Sequence, residues 1–197
     1  MRDILRLVVV LSVICGVSSA ALTLTRHSLA ERIEKQSDLY VRGPALERLF
    51  ARPAGDLLDN KVKVDLGEQL YPAFYVREGG QVTGLALEAP GTGGYAGDII
   101  IMIGIDLPNE RMLGIEIIQH SETPGVGSRV EKASFRKQWV GLPILEPVRL
   151  RSQGGQIDAI SGATYSSKAV VNGTNRIIEL VSQHKDEILA AIEAKEN

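Results

Sequence analysis

The longest apolar run in the chain, Leu7 to Thr25, holds 19 residues without a formal charge and is rich in Leu, Val and Ile. At 1.5 Å per residue a helix of that length spans about 28 Å, close to the hydrocarbon thickness of a bilayer, so the run predicts a transmembrane helix. Arg2 and Arg6 precede it, which by the positive-inside rule puts the amino terminus in the cytoplasm and everything after Arg26 on the far side, against the weaker pull of Arg26 and Arg32. Ser18-Ser19-Ala20 also fits the small-residue cleavage pattern of a signal peptide. The apolar stretch exceeds the roughly 7–15 residues usual in such peptides, which favours a retained anchor. Ile14 stands before Cys15 where a lipoprotein site would want a small residue, which argues against lipidation.

Beyond the anchor the pattern changes. Leu29 to Gln36 and Ala45 to Phe50 read as short helices, the second stopped by Pro53, and together form a stalk and lead-in to a domain. Ala73–Val76 and Gln81–Glu88 alternate apolar and polar around Glu78-Gly79-Gly80, which predicts a β-hairpin. Ile99–Ile105 is almost continuously β-branched and reads as a buried strand, paired through the turn-prone Leu107-Pro108-Asn109-Glu110 with Met112–Gln119. A short helix is expected over Ser128–Val140. A long final one carries Val170, Ile177, Val181, Ile188 and Ile192 on one apolar face, expected to dock on the sheet. Strands bracketed by helices without regular β-α alternation predict an α+β fold with an antiparallel sheet. The expected organisation is an anchor over 1–25, a helical stalk over 26–60 and one domain over 61–197. There is no internal repeat.

Composition narrows the chemistry. About 170 residues remain after the anchor, an ordinary single domain. The net charge of −2, with acids and bases interspersed, gives no basic field for nucleic acid. Cys15 is the only cysteine and falls inside the membrane segment, which excludes disulfides, thiolate zinc sites, cysteine-ligated iron–sulfur clusters and Cys-x-x-Cys-His haem attachment. The three histidines show no metal-ligand spacing, and His120 at a strand end is more simply a structural residue than a base. Any electron carrier must therefore be organic.

Three loops carry candidate chemistry. Glu88 to Asp98 is glycine-rich and presents Tyr95, but lacks the Lys-Ser/Thr ending and helix of a phosphate-binding Walker loop. His120 to Gly127 combines Glu122 and Thr123 with a Pro-Gly bend, able to approach a planar ring or simply to solvate a turn. Asp158 to Ser167 is dense in hydroxyls and runs straight into the final helix. Its Gly162 and Ala163 leave room for a bulky partner, and Thr164 lies where unpaired backbone N–H groups and the helix dipole favour a phosphate. The same Ser161 and Thr164 also read as plain helix caps.

The stretch Asp158-Ala159-Ile160-Ser161-Gly162-Ala163-Thr164 is similar to the Asp-x-x-Ser/Thr-Gly-Ala-Thr signature of proteins that carry FMN through a phosphoester on the last threonine. With the anchor, the Glu-Ala-Pro-Gly-Thr-Gly-Gly-Tyr loop and the His-x-Glu-Thr-Pro-Gly loop, almost the whole chain resembles the G subunit of Rnf-type electron transport complexes. The resemblance implies covalent FMN on Thr164, installed by a separate flavin transferase that uses FAD, because no general base for self-modification is evident nearby. It further implies Asp158, Ser161, Gly162 and Ala163 as parts of the recognition signature, and Glu122, Thr123 and Tyr95 beside the flavin. A Glu122 carboxylate opposes a negatively charged reduced flavin, so its expected role is to accept from a ring N–H or to order the loop. Val126 replaces a frequent leucine, and Tyr165 is less usual after the motif. The implied protein is an inner-membrane flavoprotein with its domain on the periplasmic side, one component of an ion-translocating oxidoreductase. Its partners are the other membrane subunits, the flavin transferase and, through residues 7–25, lipid. No catalytic residue or metal is expected in this chain. The alternatives are the equivalent component of a sodium-pumping NADH:quinone reductase, against which the shorter domain argues, and a non-redox extracytoplasmic binding module.

Overall fold

The computed structural model describes residues 2–65 and 70–196. It divides into a helical unit through Tyr40 and a folded domain from Val41 onward. The helical unit is α1 (Arg2–Ser37), unbroken and without a buried residue. The apolar run and the Leu29–Gln36 segment thus share one helix. It is the one helix among the described residues that is long and apolar enough to cross a membrane. Thr23 and Thr25 donate their hydroxyls to the carbonyls of Ser19 and Ala21, at 2.8 Å each, which removes polar hydrogens from an apolar surface.

In the domain, α2 (Gly43–Phe50) and α3 (Ala54–Asp59) precede five strands. These are β1 (Lys61–Asp65), β2 (Leu70–Glu78), β3 (Gln81–Gly91), β4 (Ile99–Asp106) and β5 (Arg111–Gln119). They form one antiparallel sheet in chain order. The expected hairpin and strand pair are present, and the fold is α+β. β1 was not among the expected strands, although Lys61-Val62-Lys63-Val64-Asp65 alternates strictly and buries both valines.

Both faces of the sheet are covered, which explains why β4 is apolar throughout instead of alternating. One face presents Leu87, Ile101, Ile103 and Ile105 to α5 (Thr164–Glu196), whose Val170, Ile177, Val181, Ile188 and Ile192 are all buried. The other face presents Phe74, Ala86 and Met102 to Leu46, Leu49 and Leu57 of α2 and α3. The region expected as one helix over Ser128–Val140 is broken. A 3-10 turn over Gly127–Glu131 and a short helix, α4 (Ala133–Arg136), are separated by an extended Lys132. Val130 and Phe135 are both buried. Five residues apart, they would lie about 140° apart around a continuous helix, so the break is what lets both reach the core.

Two buried carboxylates fasten α2 to the sheet. Glu88 on β3 and Glu116 on β5 flank Met102 in register across β4. Glu88 accepts two hydrogen bonds from Arg42, at 2.6 and 2.9 Å. Glu116 accepts from Arg48 at 2.9 Å and from Arg136. Burial, and then the neighbouring Arg48 charge, lower the Arg136 guanidinium below the ordinary arginine value. Removing the shared carboxylate leaves two guanidinium groups crowded without their counter-charge. Glu116→Ala is therefore expected to destabilise the domain by about 3 kcal/mol, read as a lowered denaturant midpoint of the detergent-solubilised chain. An unchanged midpoint would show that solvent screens this triad fully.

Candidate functional site

α5 begins where the hydroxyl-rich turn ends. Gly162 adopts φ +81°, a conformation open to glycine, and turns the backbone so that Thr164 becomes the first helical residue. Ser167 closes the turn from inside: its Oγ accepts from the Ile160 N–H at 2.9 Å and donates to the Ala163 carbonyl at 2.9 Å. The Ala163 N–H donates to the Ile160 carbonyl. Thr164 itself is exposed. The position before it is Ala163, which has no side-chain oxygen to cap the first turn, so the capping role considered for Ser161 and Thr164 is not the one they take. Among the described residues no side chain accepts from the amides of Thr164, Tyr165 or Ser166, leaving donors aimed outward at the positive end of a long helix.

Beside this turn lies a cleft of about 250 Å³, lined by Tyr95, Glu122, Thr123, Val126, Gly127 and Gly162 to Ser166. The three suspect loops thus converge from β3–β4, from the end of β5 and from the start of α5. Tyr95, Val126 and Tyr165 form an exposed apolar rim at 76, 46 and 64% exposure. A volume at or below the usual small-molecule range fits a planar ring held against the surface with one side open.

Glu122 forms the floor and is only 5% exposed. Its Oε1 accepts from the Ala96 N–H at 3.2 Å and its Oε2 from the Ser166 hydroxyl at 2.8 Å, so one carboxylate ties the glycine-rich loop to the first turn of α5. Its own N–H donates to His120 Nδ1 at 3.1 Å, while His120 Nε2 meets Glu131 at 3.0 Å. These bonds hold the glycine-rich loop against α5 through Glu122, and the His120–Glu122 contact supports the carboxylate's own backbone. The close approach needs glycines: a Cβ on Gly127 would lie 2.3 Å from Glu122 Oε2 and 2.7 Å from Ser166 Oγ, and one on Gly94 would lie 2.7 Å from Glu122 Oε1.

Two signature residues lie outside the cleft lining. Asp158 is gripped by Gln138, which accepts from its N–H at 2.7 Å and donates to its carbonyl at 3.3 Å, and the carboxylate pairs with Arg151 Nε at 2.9 Å. Ser161 is exposed, and its carbonyl accepts from Arg129 Nη1 at 3.2 Å. Glu88, first residue of the glycine-rich motif, is a strand residue on the α2 face and takes no part in the cleft. Sequence reasoning missed Ser166, Ser167, Gln138 and Arg129. The two serines were visible in the hydroxyl-dense stretch, whereas Gln138 and Arg129 reach it only through the fold.

The FMN-binding domain family matches residues 94–179, from the glycine-rich loop into α5. The chain is 31% identical over 183 residues to the G subunit of the ion-translocating oxidoreductase complex of Methanosarcina acetivorans, covering 92% of this chain and 96% of that protein. It is 29% identical over 191 residues to the protein of the same name in Vibrio cholerae, covering 91% and 90% respectively. Among solved structures, the C subunit of the Na(+)-translocating NADH-quinone reductase from Parabacteroides distasonis aligns with a TM-score of 0.48 at 24% identity, covering 61% of this chain and 63% of that one.

Proposed function

Because this chain belongs to the family of G subunits of ion-translocating oxidoreductase complexes, we propose that it is a membrane-anchored flavoprotein whose Thr164 carries FMN as a phosphoester and which relays electrons between partner subunits. The observation that carries the reading is the exposed Thr164 hydroxyl at the uncapped start of α5, beside a cleft with an aromatic rim. The residues fit the group. The free amides of the first helical turn suit a phosphate, and Tyr95, Val126 and Tyr165 offer apolar contact to a ring. Glu122, with both oxygens already accepting bonds inside the protein, shapes the floor. FMN supplies one- and two-electron redox chemistry when bound. The chain supplies position, partial cover from water and a fixed tether. An exposed site suits relay, since a partner's redox centre must come near the ring without a substrate channel.

Attachment requires a separate flavin transferase with FAD. Thr164 Oγ displaces AMP from the FMN-bearing phosphorus: the new O–P bond forms as the pyrophosphate bridge breaks, AMP leaves, and the hydroxyl proton passes to a base of the transferase. No electrons are exchanged in this step. The other partners are the membrane subunits of an ion-translocating oxidoreductase complex, and lipid around α1. Arg2 and Arg6 orient the anchor so that the domain lies outside the cytoplasm, on the periplasmic side of an inner membrane. Purified from a host that holds the transferase, the protein is expected to gain the mass of FMN less water on the peptide bearing Thr164, as read by tandem mass spectrometry. A mature, native sample with that peptide unmodified would refute the assignment.

A further inference from the structure

The 3-10 turn over Gly127–Glu131 touches the cleft at Gly127 and, just outside the cleft lining, the start of the attachment turn at Ser161. Gly127 lines the cleft so tightly that a Cβ there would lie 2.7 Å from Ser166 Oγ. Two residues on, half-buried Arg129 donates from Nη1 to the carbonyl of Ser161, the residue that opens the Ser-Gly-Ala-Thr turn. A guanidinium has five N–H donors in one plane and retains its charge at every physiological pH, so using one on a carbonyl leaves it able to serve an anion as well. The other charges near the turn are disposed differently. Asp158 is paired with Arg151, and Glu131 with His120. Glu122 is buried under the cleft with Ser166 and Ala96. Lys168, one helical turn beyond Thr164, is exposed and stands over the Tyr165 ring at 6.0 Å.

Resting on the assignment of Thr164 as acceptor, we infer that Arg129 is the positioning residue of the attachment turn: it fixes Ser161 through its carbonyl and pairs with the phosphoester carried on Thr164. The phosphodiester keeps one negative charge, and a guanidinium, with its fork of N–H donors, is the side chain best suited to it. Helix-start amides alone hold an anion loosely at an exposed site. Arg129 adds a full charge whose position is set by a second element, packed against α5 through Gly127. The short extended break at Lys132 thereby serves the site as well as the core, because it leaves Arg129 on a turn of its own.

The test uses the full chain in detergent with a flavin transferase and FAD, comparing wild type with Arg129→Gln, Arg129→Lys and Lys168→Gln. In-gel flavin fluorescence at rising acceptor concentration gives kcat and KM for attachment, and melting of matched apo and modified samples gives the stabilisation due to the bound group. Arg129→Gln is expected to lower kcat/KM about tenfold, mainly through KM, the size of losing one bond to a charged group. It should also remove roughly half of the modification-linked rise in melting temperature. Arg129→Lys should recover most of both, and Lys168→Gln should stay close to wild type. Equal stabilisation by the flavin in wild type and Arg129→Gln would overturn the inference. So would a Lys variant no better than Gln, or an effect that follows Lys168 instead. Wild type that remains unmodified would remove the Thr164 assignment itself, an outcome distinct from any of these.

Discussion

Thr164→Ala is expected to abolish covalent flavin completely, leaving a denatured band without fluorescence from a host in which wild type is fluorescent. The expectation is all-or-none because the neighbouring hydroxyls cannot substitute. Ser166 and Ser167 are 1% and 0% exposed and engaged with Glu122, Ile160 and Ala163, so a transferase cannot reach them without unwinding the helix start. Ser161 is exposed, but it lies before the turn made by Gly162 and outside the cleft lining. The substitution should barely alter folding, since surface changes away from caps and core usually stay within about 0.5 kcal/mol. Thr164→Ser retains the nucleophilic oxygen and should be modified, more slowly because the hydroxyl loses its preferred rotamer. Mass spectrometry of the tryptic peptide separates the outcomes: flavin found on Ser161 of the alanine variant would move the acceptor site.

The largest effect on stability is expected at Gly91, the last residue of β3. A Cβ there would fall 2.0 Å from the Ala169 carbonyl oxygen and 2.8 Å from its carbon. Both atoms are backbone in the second turn of α5, so no rotamer change relieves the overlap. α5 would have to lift off the sheet or β3 would have to bend. Gly91→Ala should therefore cost about 3 kcal/mol or more, at the upper end for overpacking. The facing Gly173 provides the contrast. Its added Cβ would meet Gly91 Cα and the Ile101 side chain at 3.0 Å, and the Ile101 end can give way. Replacing a mid-helix glycine also returns about 1 kcal/mol of helix propensity. Gly173→Ala is accordingly expected to lie near wild type in denaturant midpoint while Gly91→Ala falls far below. A Gly91→Ala protein within 1 kcal/mol of wild type, by the usual ~1 kcal/mol scale of single substitutions, would mean that α5 sits further from the strand. Because α5 carries Thr164 at its start, a Gly91→Ala protein that still folds should also be modified less completely.

The physical reach of local pattern is visible element by element. Continuous apolarity marked α1 and β4, period-two alternation with Gly79-Gly80 marked the β2–β3 hairpin, and the stripe from Val170 to Ile192 marked the buried face of α5. Where burial follows no single period the pattern fails. Val130, Phe135 and Trp139 all reach the core by breaking the chain at Lys132, which no helical spacing foretells. Glu88 reads in sequence both as the end of the Gln81–Glu88 strand and as the head of a glycine-rich loop; β3 stays paired three residues further, to Gly91 opposite Ile99 where β4 begins, and hands Glu88 to Arg42.

What the chain determined by itself was a helix long and apolar enough to cross a membrane, the α+β class and the identity of the three loops that line the cleft, since each depends on residues close together in the chain. Only the tertiary structure decided that Glu122 is spent on Ala96 and Ser166, that Gln138 grips Asp158 and that Arg129 reaches Ser161. Those contacts join segments 20 to 44 residues apart along the chain. Hydrogen bonds of that span exist only after the sheet and α5 have packed and excluded water, so their specificity resides in the fold as a whole.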